Sequence, residues 1–138
     1  MKKIIFINKT FCPAVLISVF VLLPGILFSQ SDSVPDYSQC LKKSSSAWGS
    51  KCSQCMNFEN SYRVNLRNTC KDVIDVKVAV QETTRKWRTF LKSNVAPGDS
   101  VSSYACVGTG KYMFWARKGG DKSVFFPTDV EINLQNVK

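Results

Sequence analysis

Ile74-Asp75-Val76-Lys77-Val78-Ala79-Val80-Gln81 is the stretch that decides the fold. A β-branched residue stands at every second position. That period puts Ile74, Val76, Val78 and Val80 on one face of a strand and Asp75, Lys77 and Gln81 on the other. Working towards the N-terminus, Tyr62, Val64 and Leu66 alternate in the same way with Arg63, Asn65 and Arg67. Asn68-Thr69-Cys70-Lys71-Asp72 between the two has turn chemistry. Working towards the C-terminus, further strands are expected over Lys86–Leu91, Val101–Cys106 and Lys111–Arg117, with short ones at Val124–Phe126 and Val130–Leu134. Pro97-Gly98-Asp99, Gly108-Thr109-Gly110 and Gly119-Gly120-Asp121 punctuate them. The pattern predicts an all-β domain over residues 61–138, an antiparallel β-sandwich of about seven short strands.

Residues 1–30 read differently. Lys2-Lys3 precedes an apolar stretch, Phe11–Phe28, and Ser29-Gln30-Ser31 follows it. That order predicts a secretory signal peptide and a secreted or periplasmic protein. Pro13, Pro24 and Gly25 interrupt the apolar stretch, which argues against a membrane anchor. Cleavage would leave a domain without a transmembrane segment. It would also remove Lys2, Lys3 and Lys9, leaving 16 of the 19 cations against 10 acids. A mild positive excess suits an anionic polymer, a glycan or a protein partner, and otherwise serves only solubility. No run of four basic residues marks a nucleic-acid arm. Histidine is absent from the chain. Ser-His and Cys-His nucleophiles and His-ligated metals are therefore excluded. No cofactor or metal site is expected.

Residues 31–60 are Ser- and Cys-rich and read as a polar lead-in, tethered by disulfides. Five cysteines follow the leader: Cys40, Cys52, Cys55, Cys70 and Cys106. An odd number leaves one thiol over. Cys70 and Cys106 both end predicted strands, so a Cys70–Cys106 bridge is expected. Cys40 is expected to pair with Cys52 or Cys55. Cys52-Ser53-Gln54-Cys55 also has the spacing of a redox pair, but no strand precedes it to place Cys52 at a helix start. Four thiolates from Cys40, Cys52, Cys55 and Cys70 lack the paired spacing of a zinc site.

The order Tyr62-x-Val64, Asn68-x-Cys70, Ile74-x-Val76, Trp87, Pro97-Gly98, Cys106, Lys111-Tyr112 and Trp115-Ala116-Arg117 resembles small secreted bacterial β-sandwich domains of unknown function. The resemblance runs from Ser61 to Arg117. It implies a fold and an address, and no active site to transfer.

The candidate binding residues come from parity. Arg63 and Lys77 point away from the core side of their strands. On Lys111–Arg117 both sides are apolar. If Tyr112 and Phe114 fill the core, Trp115 and Arg117 join Arg63 and Lys77 on one outward face, an aromatic-basic patch for sugars or anions. Asp72/Asp75 and Asp129/Glu131 are carboxylate pairs without a cleft, and Ala105–Lys111 lacks the Ser or Thr of a phosphate loop. The expectation is a secreted, non-enzymatic binding or structural module with no catalytic residue. Its rivals are a thiol–disulfide redox protein using Cys52 and Cys55, and a secreted inhibitor or toxin-like protein.

Overall fold

A computed structural model describes residues 35–134. The predicted leader, with Cys12, lies outside the described residues. Six strands form two antiparallel three-stranded sheets. They are β1 (Leu41–Trp48), β2 (Tyr62–Asn68), β3 (Ile74–Glu82), β4 (Trp87–Val95), β5 (Ser100–Ala105) and β6 (Gly108–Lys118). The first sheet has the order β1-β2-β5, the second β4-β3-β6. Six strands replace the expected seven: neither Val124–Phe126 nor Val130–Leu134 is a strand, and β1 is one that was not expected. After β6 the described chain is irregular up to one short helix, α1 (Asp129–Leu134).

The inward faces follow the period-2 pattern. Tyr62, Val64, Leu66, Val101 and Ala105 from the first sheet meet Ile74, Val76, Val78 and Val80 from the second in one cluster. Tyr112, Phe114 and Ala116 pack against it. The branch of the parity argument that sends Trp115 outward is the one the molecule takes.

The polar lead-in is part of the fold. A 3-10 turn at Tyr37–Cys40, capped by the Asp36 side chain, leads into β1. β1 pairs with β2 from Leu41 opposite Asn68 to Trp48 opposite Tyr62. Only Leu41 of its eight residues is buried. A strand exposed along its length has no apolar alternation to betray it.

The predicted disulfides are corrected. The bridges are Cys40–Cys70 and Cys55–Cys106, with Cα–Cα distances of 5.1 and 5.3 Å. Thr69 donates its N–H and its hydroxyl to the Cys40 carbonyl, at 2.8 and 2.9 Å, which sets Cys70 beside Cys40. Cys106 follows Ala105, which pairs with Tyr62 at the far end of β2. Cys70 and Cys106 therefore stand at opposite ends of a strand about 20 Å long, beyond the reach of ~7 Å that a disulfide allows. The same geometry separates Cys40 from Cys52 and Cys55, which lie past the other end of β1. Each bridge closes a long loop and contributes about 4 kcal/mol by the chain-entropy argument.

Three connections switch the chain between sheets: residues 69–73, 96–99 and 106–107. Asn68 forms the first corner. It is fully buried, donates to the carbonyls of Asp72 (2.8 Å) and Val95 (3.1 Å), and accepts from the Cys70 N–H (3.0 Å). At the third, a Cβ on Gly108 would stand 2.5 Å from the Tyr62 Cβ, so only glycine fits.

Candidate functional site

The structure splits the predicted patch. Lys77 is the register partner of Trp115, and Asp75 of Arg117, so Lys77, Trp115 and Arg117 share the outward face of the second sheet. Arg63 lies on β2, in the first sheet. Parity along a strand says whether a side chain points in or out. It does not say which sheet the strand joins, and the turn at residues 69–73 crosses between sheets rather than pairing β2 with β3.

Of the three that share a face, Trp115 is half-buried and both cations are already partnered within the chain. The Lys77 ammonium donates to the Pro127 carbonyl and to Asp129, both at 2.7 Å. The Arg117 guanidinium reaches Asp75 (3.3 Å) and the Val124 carbonyl (2.6 Å), and lies over the Phe126 ring. Asn133 accepts from the Trp87 N–H at 2.8 Å. Ile132 is completely buried outside the main core cluster. The segment from Val124 to Leu134 thus straps part of the outer face of the second sheet, neutralising Lys77 through Asp129 and giving Arg117, which is paired with Asp75 of β3, a carbonyl acceptor.

That strap also explains the titration of its acids. Hydrogen bonds from Lys77, then Thr89, hold the Asp129 carboxyl below its ordinary range. Glu131 is lowered by the backbone N–H and then the hydroxyl of Thr128. Thr128 Oγ1 in turn accepts from the Glu131 N–H at 3.2 Å, completing a capping box. The signal Thr128-x-x-Glu131 stands in the sequence and marks a helix start, and Val130–Leu134 is helix rather than the expected strand.

The outward face of the first sheet is different. Lys42 pairs with Arg67, Ser45 with Asn65, and Asn65 with Ser102 across the sheet. Lys42, Ser45, Arg67 and Ser102 are exposed. Asn65 Nδ2 donates to Ser45 Oγ at 2.8 Å, and Arg67 Nε to the Gly98 carbonyl at 2.8 Å. Among the described residues no carboxylate forms an ion pair with Lys42, Arg63 or Arg67. Arg63 is spent at one end of this face, where its guanidinium donates to the Lys51 carbonyl.

A third cluster surrounds the loop between β1 and β2. Cys52 is 9% exposed and is the free cysteine among the described residues. Its thiol donates to the Ser50 carbonyl at 3.1 Å. Cys55 N–H closes a turn onto the Cys52 carbonyl at 3.2 Å. Arg88 reaches Cys106 Sγ at 2.8 Å and Gln54 Oε1 at 2.6 Å, and lies over the Tyr104 ring. Glu82 accepts from the N–H groups of Cys106 (3.0 Å) and Val107 (2.8 Å). Sequence reasoning missed Arg88, which carries no motif.

No group of His, Cys, Asp and Glu able to hold a metal occurs among the described residues, and no described helix is long and apolar enough to cross a membrane. Comparison with known proteins finds no matching family model, no matching curated protein and no matching solved structure.

Proposed function

We propose that this chain is an exported, disulfide-stapled β-sandwich module that acts by binding an anionic polymer or glycan on the outer face of its first sheet. The observation that carries the reading is the pairing of Lys42 with Arg67. Two cations face each other across neighbouring strands, with no acid between them. Like charges directly opposite destabilise a sheet. An anionic ligand relieves that repulsion, and charge-assisted hydrogen bonds from the guanidinium give it orientation. Ser45, Asn65 and Ser102 in the next row supply hydroxyl and amide groups suited to sugar hydroxyls or sulfate oxygens. Export fits two disulfides, which persist in oxidising compartments.

The test is calorimetric titration with a sulfated polysaccharide at low and moderate salt. Binding should weaken with salt, and Lys42→Ala with Arg67→Ala together should reduce affinity about tenfold or more. Equal binding by the double variant would remove the reading.

A further inference from the structure

We propose that the Cys55–Cys106 disulfide is an exchange site, with Cys52 as its internal nucleophile and Cys106 as the sulfur it releases. This goes beyond the binding role and involves other residues. Three features of the cluster converge on it. The turn Cys52-Ser53-Gln54-Cys55, closed by its 3.2 Å hydrogen bond, holds the two cysteines of the spacing together. A four-residue turn brings its end Cα atoms within about 7 Å, where disulfides form. The residue that carries the free thiol is therefore tethered within disulfide range of a bridged cysteine, and a side-chain rotation away from the Ser50 carbonyl is what attack requires. Second, the departing sulfur has a cation beside it: Arg88 Nη1 stands 2.8 Å from Cys106 Sγ, nearer than the 3.9 Å that separates it from its ion-pair partner Glu82. A guanidinium beside a sulfur favours the thiolate, and a sulfur that carries negative charge well leaves faster. Third, the exchange moves the odd thiol from a buried position to a half-buried one, since Cys106 is less enclosed than Cys52.

The step is redox-neutral. Cys52 gives its proton to solvent, and its thiolate attacks Cys55 Sγ. The Cys52–Cys55 bond forms as the Cys55–Cys106 bond breaks. The electron pair of the broken bond stays on Cys106 Sγ, held against Arg88 until it is protonated by solvent or captured by an electrophile. No external oxidant or reductant enters. Cys40–Cys70, at the other end of β1 and β2, takes no part. The molecule would thus hold one bridge as a fixed staple and the other as a latch that can hand a thiol to the surface, where a disulfide-bearing partner could form a mixed disulfide with it.

The experiment is iodoacetamide trapping of the full chain carrying Cys12→Ser, without reductant, followed by non-reducing peptide mapping over time. The expected product carries the alkyl group on Cys106 together with a new Cys52–Cys55 bridge, and Cys40–Cys70 is unchanged. An alkyl group confined to Cys52, with Cys55–Cys106 intact, overturns the proposal, and so does the absence of any label in the native protein. Cys52→Ser should abolish labelling of Cys106. Persistent label there would mean that Cys52 is not the nucleophile and would also overturn it. Arg88→Gln should slow Cys106 labelling about tenfold while circular dichroism stays unchanged, and Arg88→Lys should restore part of the rate. An unchanged rate in a folded Arg88→Gln protein would refute the role given to the leaving sulfur. Should Arg88→Gln unfold the chain, the Cys52→Ser map still decides the question.

Discussion

The outer face of the second sheet is partly covered and its cations Lys77 and Arg117 are paired with Asp129 and Asp75, whereas that of the first is open and carries cations without ion-paired acids. Both faces alternate polar residues with a buried apolar row, and in the sequence they look alike. What separates them is sequence elsewhere: the segment after β6 brings Ile132, Asp129 and two backbone carbonyls onto one face only. Outward basic residues therefore make a binding surface only where the chain does not supply its own partners.

The sharpest way to break the comparison is at Asp75. It is 4% exposed and accepts from the Asn94 N–H (3.0 Å), the Gly120 N–H (3.3 Å) and Arg117 (3.3 Å). Asn94 has a φ of 56° where the β3–β4 register shifts, so its N–H depends on that carboxylate. Asp75→Ala strands a half-buried guanidinium and two donors, and should cost about 3–5 kcal/mol in denaturant unfolding. A loss below about 1 kcal/mol would mean that the second sheet's outer face is not held by this hub.

Next in size is Ile132→Ala, expected to cost about 3 kcal/mol because it empties a fully enclosed site under the strap. The matching change on the other face, Asn65→Ala, should stay within about 1 kcal/mol, since it removes one exposed hydrogen bond to Ser45. Similar losses from the two variants would erase the difference between covered and open. Trp115→Ala belongs with the covered face: it should leave polysaccharide binding unchanged, and lost binding with an intact fold would return the site to the second sheet.

How much of this was legible follows the apolar period. β2, β3 and β5 are readable because one side of each is buried and burial writes the alternation, whereas β4 and β6 are half-buried or exposed over most of their length and are readable only in part, from their aromatic residues and flanking turns. β1 is not, because Lys42–Trp48 is exposed throughout and Lys-Lys-Ser-Ser-Ser has no face to protect. Missing β1 left Cys40 on a loose tether, and the disulfides were mispaired for that reason. The C-terminal helix was legible in principle, through the Thr128-x-x-Glu131 box, but its six residues are too few for a helical stripe. Sheet membership was not legible at all: Arg63 and Lys77 have the same parity, and only the crossing at residues 69–73 puts them in different sheets.

The smallest effect expected is electrostatic, and it tests whether charge or packing fastens the strap. Asp129 hydrogen-bonds to the Lys77 ammonium, and its carboxyl is held below its ordinary range first by that bond and then by Thr89. A carboxyl with a lower folded than unfolded pKa stabilises the fold fully above the unfolded value, about 4. It loses that contribution as pH falls through the folded value. Its side chain is 66% exposed while Lys77 is only 12% exposed, so solvent screens the pair from one side and its worth is no more than about 1 kcal/mol. Asp129→Asn should therefore be slightly less stable than the parent at pH 7, and the gap should close as the pH falls through the lowered folded value. High salt at pH 7 should shrink the same gap. A gap that persists in acid would come from the shape of the side chain rather than its charge. The strap would then be fastened by Ile132 and the carbonyls of Val124 and Pro127, with Asp129 only marking the start of α1.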